Sequence, residues 1–502
     1  MVHLRGHRRA ARGLPALSIL VMLAFPLPVR PGQIGVPQSS LNLLKGLGPA
    51  PGGALFDGGS RGGPDGGAVV SGRTAGPAAA PAVTGVPVDA ADADASPAVA
   101  LPSKVSAEDD RALEDVSRRA FRYFWEQVGA KTGLVADRAR GDGSPDGDIS
   151  SSASTGFGLT ALCIGAERGW VARDQARERA LKTLRFLAGS APQEHGWFYH
   201  YMDAGTGARA WESEVSSIDT AFLLAGVLTA RQCFNDDGEI PALATAIYDR
   251  VDFKWMLNGH PTLLSHGWKP ESGFLPWRWD GYSEHMALDL LAIGSPTHPV
   301  TSATWGAWKH QEVSYSSFTY VAGASPLFIH QYSHAWVDFR GLRDGSGIDY
   351  FENSVTATLA QKAFCQDLSR EFPGYSEDIW GITASDSANG YVAWGGPPRA
   401  AGIDGTVCPS AALGSLMFTP EASLAALRAM RGQYGEKTYG RYGFADAFNP
   451  NTGWVDSDVI GIDQGIILLS AENLRHESVW HWFMSNPEIA RSMRLAGFEP
   501  KP

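Results

Sequence analysis

Apolar positions from residue 106 onward recur with the 3.6-residue period of helices. Leu113, Val116, Ala120, Phe121, Phe124 and Val128 form one face, while Arg111, Arg118 and Arg122 fall on the other. Ser106 stands three residues before Asp109, a pairing that caps the orphan amides of a first helical turn, so a helix is predicted to begin there. Further helices are predicted near 155–168, 172–189, 213–234, 240–257, 283–293, 350–369, 410–417, 420–434, 457–473, 475–484 and 486–496, with few strands. Two kinds alternate. Ile218–Val227 and Val459–Leu469 are apolar nearly all round and need burial on every side, whereas Arg173–Leu187 is amphipathic and needs it on one.

Roughly a dozen such helices without a βαβ rhythm predict an all-α fold of two concentric rings, an (α/α)6 barrel or toroid. A helical solenoid is the competing arrangement, although no fixed period of 30 to 50 residues is visible. In a toroid, the loops at one rim would carry the chemistry.

The pattern stops upstream of residue 106. Residues 31–100 hold 15 Gly, 9 Pro and 14 Ala, with Phe56 the only aromatic, so this stretch cannot build a core and residues 31–105 are expected to be a disordered linker. Residues 1–30 join Arg5, Arg8, Arg9 and Arg12 to an apolar run from Leu14 to Val29 broken by prolines. That is the layout of a signal peptide, with an uncleaved anchor as the alternative, and it predicts a periplasmic or secreted protein. All 16 Trp of the 502 residues lie from Trp125 to Trp482, which confines the folded domain to 106–502.

The net charge of −11 and the lack of a basic stripe disfavour nucleic acid as a partner, and no membrane contact beyond the N-terminus is expected. Cys163, Cys233, Cys365 and Cys408 are far apart and form no metal-like cluster with His, so no metal or other cofactor is expected and the thiols read as buried and free. Asp142, Asp146 and Asp148 lack the twelve-residue calcium pattern and read as a polar turn. Serine hydrolase, nucleotide-binding, zinc protease and dehydrogenase fingerprints are missing from the sequence.

Candidate chemistry gathers where acids enter apolar helices. Trp211, Glu212, Glu214 and Asp219 lead into Ala221–Val227. One acid there would read as a cap on the helix dipole, but three at the mouth of a buried helix point to a site. Trp277, Arg278, Trp279, Asp280 and Tyr282 precede Glu284. Indoles stack on pyranose faces, the polar residues can hold hydroxyls, and apolar surroundings should raise the proton affinity of Glu284, as a general acid requires. Polar and aromatic clusters at His195, His200, His334, Trp380, Asp386, Trp454 and Asp458 could line the same cleft, though each alone reads as a core histidine, cap or structural indole. Asp463 opens Gly465–Leu469 as Asp219 opens its helix, which makes it the preferred second carboxylate.

The segments TGFGLTAL (155–162), HGWFYHYMD (195–203), SEVSSIDTAFLLAG (213–226), RWDGYSEHM (278–286), QYSHAWVDFR (331–340), WGITASD (380–386) and IDQGIILLSAENLR (462–475) resemble, in order, the glucoamylase-like domain of glycoside hydrolase family 144. The resemblance implies an (α/α)6 barrel that hydrolyses β-1,2-glucan with inversion. It matches Glu284 to the general acid and Glu214 to an acidic cleft residue needed for activity. It leaves the base open, with Asp463 first and Asp458 or Asp386 next. An oligo- or polysaccharide partner and a monomeric enzyme are expected. A glycan-binding module that has lost catalysis and a polysaccharide lyase are the alternatives on the same scaffold.

Overall fold

The computed structural model describes residues 105–144 and 147–501. The N-terminal signal or anchor, all but the last residue of the linker, and Asp146 lie outside the described residues. Fourteen α-helices are found among those described: α1 (Ala107–Glu126), α2 (Ser152–Glu167), α3 (Arg173–Gly189), α4 (Ser217–Cys233), α5 (Ile240–Asp249), α6 (Phe253–Met256) and α7 (Met286–Gly294) in the first half. The second half holds α8 (Tyr332–Trp336), α9 (Tyr350–Leu368), α10 (Pro409–Leu413), α11 (Pro420–Thr438), α12 (Gly461–His476), α13 (Ser478–Met484) and α14 (Pro487–Leu495). None of the helices is long and apolar enough to cross a membrane.

The predicted division into two kinds of helix is visible in their burial. Helices α2, α4, α7 and α12 are buried over almost their whole length, whereas α1 and α3 bury one face. The buried helices pack in succession, α2 on α4, α4 on α7, α7 on α8, α8 on α12, and α12 back on α2. Helix α1 covers α2 and α12, and α5 covers α3 and α4. Ser106 caps α1 as its spacing predicts, accepting from the Asp109 amide at 3.1 Å and donating to the Asp109 carboxylate at 2.8 Å.

Several boundaries differ from those the periodicity predicts. Strands are short but numerous, 17 among the described residues and none longer than four residues. They take the first residues of predicted helices. Asp458–Ile460 pairs with Arg138–Arg140, so α12 begins at Gly461, and Val215–Ser216 pairs with Trp268 and Gly267, so α4 begins at Ser217. The predicted 240–257 helix breaks in two where Asp252 starts a new cap by accepting from the Trp255 amide at 3.0 Å. The helix predicted near 410–417 closes at Leu413, and α8 is one that periodicity did not mark, being only five residues long. All four cysteines are buried and free. The Asp142 carboxylate accepts from the Ser144 amide at 2.8 Å, a local turn.

Two glycines let α2 and α4 approach backbone to backbone. A Cβ at Gly156 would lie 2.1 Å from the Phe222 carbonyl oxygen, and one at Gly226 would lie 2.1 Å from that of Gly156. Backbone cannot swing aside as a flexible side chain can. Gly226→Ala is therefore expected to lower the stability of the domain by about 2 kcal/mol or more, from overpacking between elements that cannot move independently. Urea unfolding of the purified variant against the parent checks this.

Candidate active site

The buried helices deliver their N-terminal ends, and the residues just before them, to a common place. Asp219 lies in the first turn of α4, Glu284 stands two residues before α7, and Asp463 lies in the first turn of α12. Ser216 caps α4, accepting from the Asp219 amide at 3.2 Å and donating to its carboxylate at 2.5 Å. Ser283 donates to the Glu284 carboxylate, while the Glu284 carbonyl accepts from Ser333 at 2.5 Å on the start of α8. Glu284 is 6% exposed, and its residence in the interior is what its chemistry depends on.

An imidazole joins two of the acids. His200 Nδ1 is 3.1 Å from Glu214 and its Nε2 is 3.4 Å from Asp219. Burial opposes the imidazolium, but the charge of Asp219 and the hydrogen bond and charge of Glu214 raise the His200 pKa to about 9. In return, although burial opposes its ionisation, the hydrogen bond and charge of His200 bring Glu214 down to about 2. Burial pushes Asp219 up, with His200 and Ser216 working against it. For Glu284, burial dominates, the Ser283 hydrogen bond resists, and the negative charge of Asp219 adds, which together raise the carboxyl to about 7. A proton is thus held on Glu284 where Glu214 has none.

A second group of carboxyls surrounds Asp463. Asp386, Asp446 and Asp456 place oxygens within 4.8 Å of one another, and Asp446 accepts from the Asp386 amide at 2.8 Å. This is the donor set among the described residues that could hold a cation. Arg138 already supplies a fixed positive charge there, 2.7 Å from Asp386 and 3.4 Å from Asp137. The strand pairing of Arg138 with Ile460 and the Gly461 amide donating to the Asp137 carbonyl at 2.7 Å carry this cation to the start of α12. Burial raises Asp463, and burial together with the charges of Asp463 and Asp386 raises Asp446. The buried Tyr332 hydroxyl feels the charges of both Asp463 and Glu284, so it is near enough to each group to couple to it. The first group therefore offers a protonated acid, and the second holds buried carboxyls, Asp446, Asp456 and Asp463, whose proton affinity is raised.

Residues 276–487 match the family described as "Putative glucoamylase". An endo-β-1,2-glucanase from Chitinophaga pinensis, solved with sophorotriose and glucose, is 30% identical with a TM-score of 0.73, over 79% of this chain and 99% of that one. This chain belongs to the glucoamylase-like family. It is also 30% identical over 424 residues to an exo-β-1,2-glucooligosaccharide sophorohydrolase (non-reducing end) of Parabacteroides distasonis, covering 77% of this chain but only 58% of that relative's length. A solved β-1,2-glucanase from Parabacteroides distasonis is 28% identical with a TM-score of 0.70, over 77% of this chain and 60% of that one.

Within this family member, the residues that sequence pattern singles out separate into three places. His200, Glu214, Asp219, Glu284, Asp386 and Asp463 belong to the carboxyl groups just described. Asp458 lies beside them but is held by Arg140 at 2.9 Å. Others are part of the framework. Trp279 is buried, donates to Ser217 at 2.9 Å and stacks on His266 at 4.0 Å. Tyr282 and His330 face each other at 3.1 Å in the interior, His334 meets Ser354 at 3.1 Å, and Trp380 is fully buried. Arg278 donates to the carbonyls of Leu257 and Leu263 at 2.7 and 2.8 Å, so it fastens a loop. The rest lie outward. Asp280 pairs with Lys309 at 2.9 Å, exposed His195 stacks on Trp255 at 4.5 Å, Trp454 is half-buried, and Trp211, Glu212 and Trp277 are exposed.

Sequence pattern overlooked Asp137, Arg138, Asp446, Asp456 and the aromatic hydroxyls of Tyr332 and Tyr391. Asp446 had a legible signal, since it is the single acid inside Phe444-Ala-Asp-Ala-Phe448, all of it apolar otherwise. Asp137 and Arg138 did not, because an Asp-Arg pair reads as surface until the strand is placed. The Glu284 carboxyl is expected to be half-ionised near pH 7 and to titrate about 0.5 pH unit or more lower in Asp219→Asn, since removing a neighbouring negative charge eases ionisation. Carbon-13 NMR of glutamate-labelled protein reads that midpoint, and an unmoved value in the variant would contradict the coupling.

Proposed function

We propose that this protein is an inverting glycoside hydrolase acting on β-1,2-linked glucan. The observation that carries the reading is the presence of a buried carboxyl raised to about 7, Glu284, together with a separate carboxyl group around Asp463, both of which act on Tyr332. The activities named for the relatives from Chitinophaga pinensis and Parabacteroides distasonis support the choice of linkage.

In this mechanism Glu284 gives its proton to the glycosidic oxygen as the bond from that oxygen to the anomeric carbon breaks. Water attacks the same carbon from the opposite face, and Asp463, with Asp446 and Asp386 beside it, takes the proton the water releases. The products are a reducing end of inverted configuration and a free hydroxyl. Glu214 stays ionised against His200 and orients that imidazolium, and burial, with a smaller contribution from Asp219, keeps the proton on Glu284. The charged partner on Asp458, Arg140, makes it a poorer base than Asp463. The alternating buried and amphipathic helices support an (α/α)6 barrel over residues 106–502. The basic and apolar N-terminus supports export to the periplasm or medium through a signal at 1–30 and a linker at 31–105, and the enzyme acts as a monomer.

The test is a screen of the purified protein against linkage-defined glucans, with product sizes read by mass and the anomeric form of fresh product by NMR. New reducing ends from β-1,2-glucan alone are expected. Binding without cleavage would sink the hydrolase, and an unsaturated sugar product would make it a lyase. Glu284→Gln is expected to lower kcat at least about a hundredfold with unchanged circular dichroism, the scale of lost general acid catalysis. In the parent enzyme, activity should fall as pH rises through about 7, where the donor loses its proton.

A further inference from the structure

Outside the carboxyl groups, one exposed tryptophan stands on a backbone that disfavours it. Trp211 is 56% exposed, and Trp211 and Glu212 have φ of +53° and +50°. They occupy the two central positions of a turn closed by the Ser213 amide donating to the Ala210 carbonyl at 3.0 Å. Positive φ at both central positions is the signature of a type I′ turn, which favours Asn and Gly and penalises bulky side chains. Strain of this kind persists where surrounding contacts enforce it, and it gathers at ligand clamps.

The surrounding contacts do enforce it. Arg209, at the base of the turn, is held by Glu271 at 2.6 and 3.0 Å and donates to the Ser213 carbonyl at 2.5 Å. The Ala210 amide donates to the Tyr201 carbonyl at 3.0 Å, and Ser213 Oγ bonds both the amide and the carbonyl of Tyr201, at 3.2 and 3.1 Å. The indole therefore has a fixed seat. It meets the Tyr201 ring at 5.0 Å, and Tyr201 stacks on the His200 ring at 3.8 Å and 15°. His200 is the imidazole that joins Glu214 and Asp219. A continuous run of rings thus leads from the exposed indole to the imidazole that joins Glu214 and Asp219.

We infer that Trp211 is the platform of an outer subsite, stacking a glucosyl unit one or more residues away from the bond that is cleaved and so favouring longer chains. The inference rests on the proposed hydrolase reading and deepens it. A pyranose presents an apolar face of C–H groups that an exposed indole can cover, and a rigid indole loses little conformational freedom in doing so. The tied turn fixes the backbone beneath the ring, and more than half of Trp211 stays exposed although its ring meets Tyr201.

The test measures kcat/KM of the full-length enzyme and of Trp211→Ala on a ladder of β-1,2-gluco-oligosaccharides. The ratio of kcat/KM for the longest to the shortest cleaved oligomer is expected to fall about fivefold or more, chiefly through KM for the long substrates. A ratio that stays at the parent's value overturns the inference. Trp211→Asn, which suits the turn, guards against misfolding: it should melt no lower than the parent yet show the same loss of long-chain preference. A lower melting temperature with an unchanged ratio would make Trp211 a packing residue. A parent enzyme that cleaves no β-1,2-glucan overturns the hydrolase reading and this inference together, whereas an active parent with an unchanged ratio overturns the inference alone.

Discussion

Placing Asp219 in the first turn of α4 takes a carboxylate out of water, and the helix N-terminus returns only part of what that desolvation costs. His200 makes up the difference by presenting one ring nitrogen to Asp219 and the other to Glu214. The imidazolium and the Glu214 carboxylate can then remain charged together, and His200 works against the rise that burial imposes on Asp219. For Glu284 burial is the chief obstacle to ionisation, and any negative charge on Asp219 adds to it.

The other side of the site solves the same problem differently. Around Asp463 there are more buried carboxyls than cations, and Arg138 neutralises only the part nearest Asp386 and Asp137. Mutual repulsion and burial then keep protons on some of the group. Such a set gains a proton easily and gives it up again easily, which is what the proposed base must do. The contrast between a locked imidazolium pair and a proton-sharing acid group separates the two roles without any change in residue type.

Close packing of the buried helices is what permits these groups to meet. Gly156 and Gly226 let α2 and α4 touch through their backbones, and the short strands at the helix entrances fix the register of what precedes each helix. The pairing of Arg138–Arg140 with Asp458–Ile460 brings a segment near the start of the domain beside one near its end. Cation and carboxyl are thereby placed together although more than 300 residues separate them in the chain.

Residue pattern alone determined which helices are buried on every side, and that Glu284, Asp219 and Asp463 enter such helices. These properties are local: hydrophobic period, capping chemistry and the cost of burying an acid can each be judged within a dozen residues. Only the tertiary structure decided that His200 faces Glu214 and Asp219, that Arg138 and Asp446 join Asp463, and that Trp279, Tyr282 and Trp380 belong to the framework. Each of these depends on strand pairing or helix packing between distant segments. An indole in a core and an indole offered to a sugar have the same sequence signature until the neighbours that cover one of them are in place.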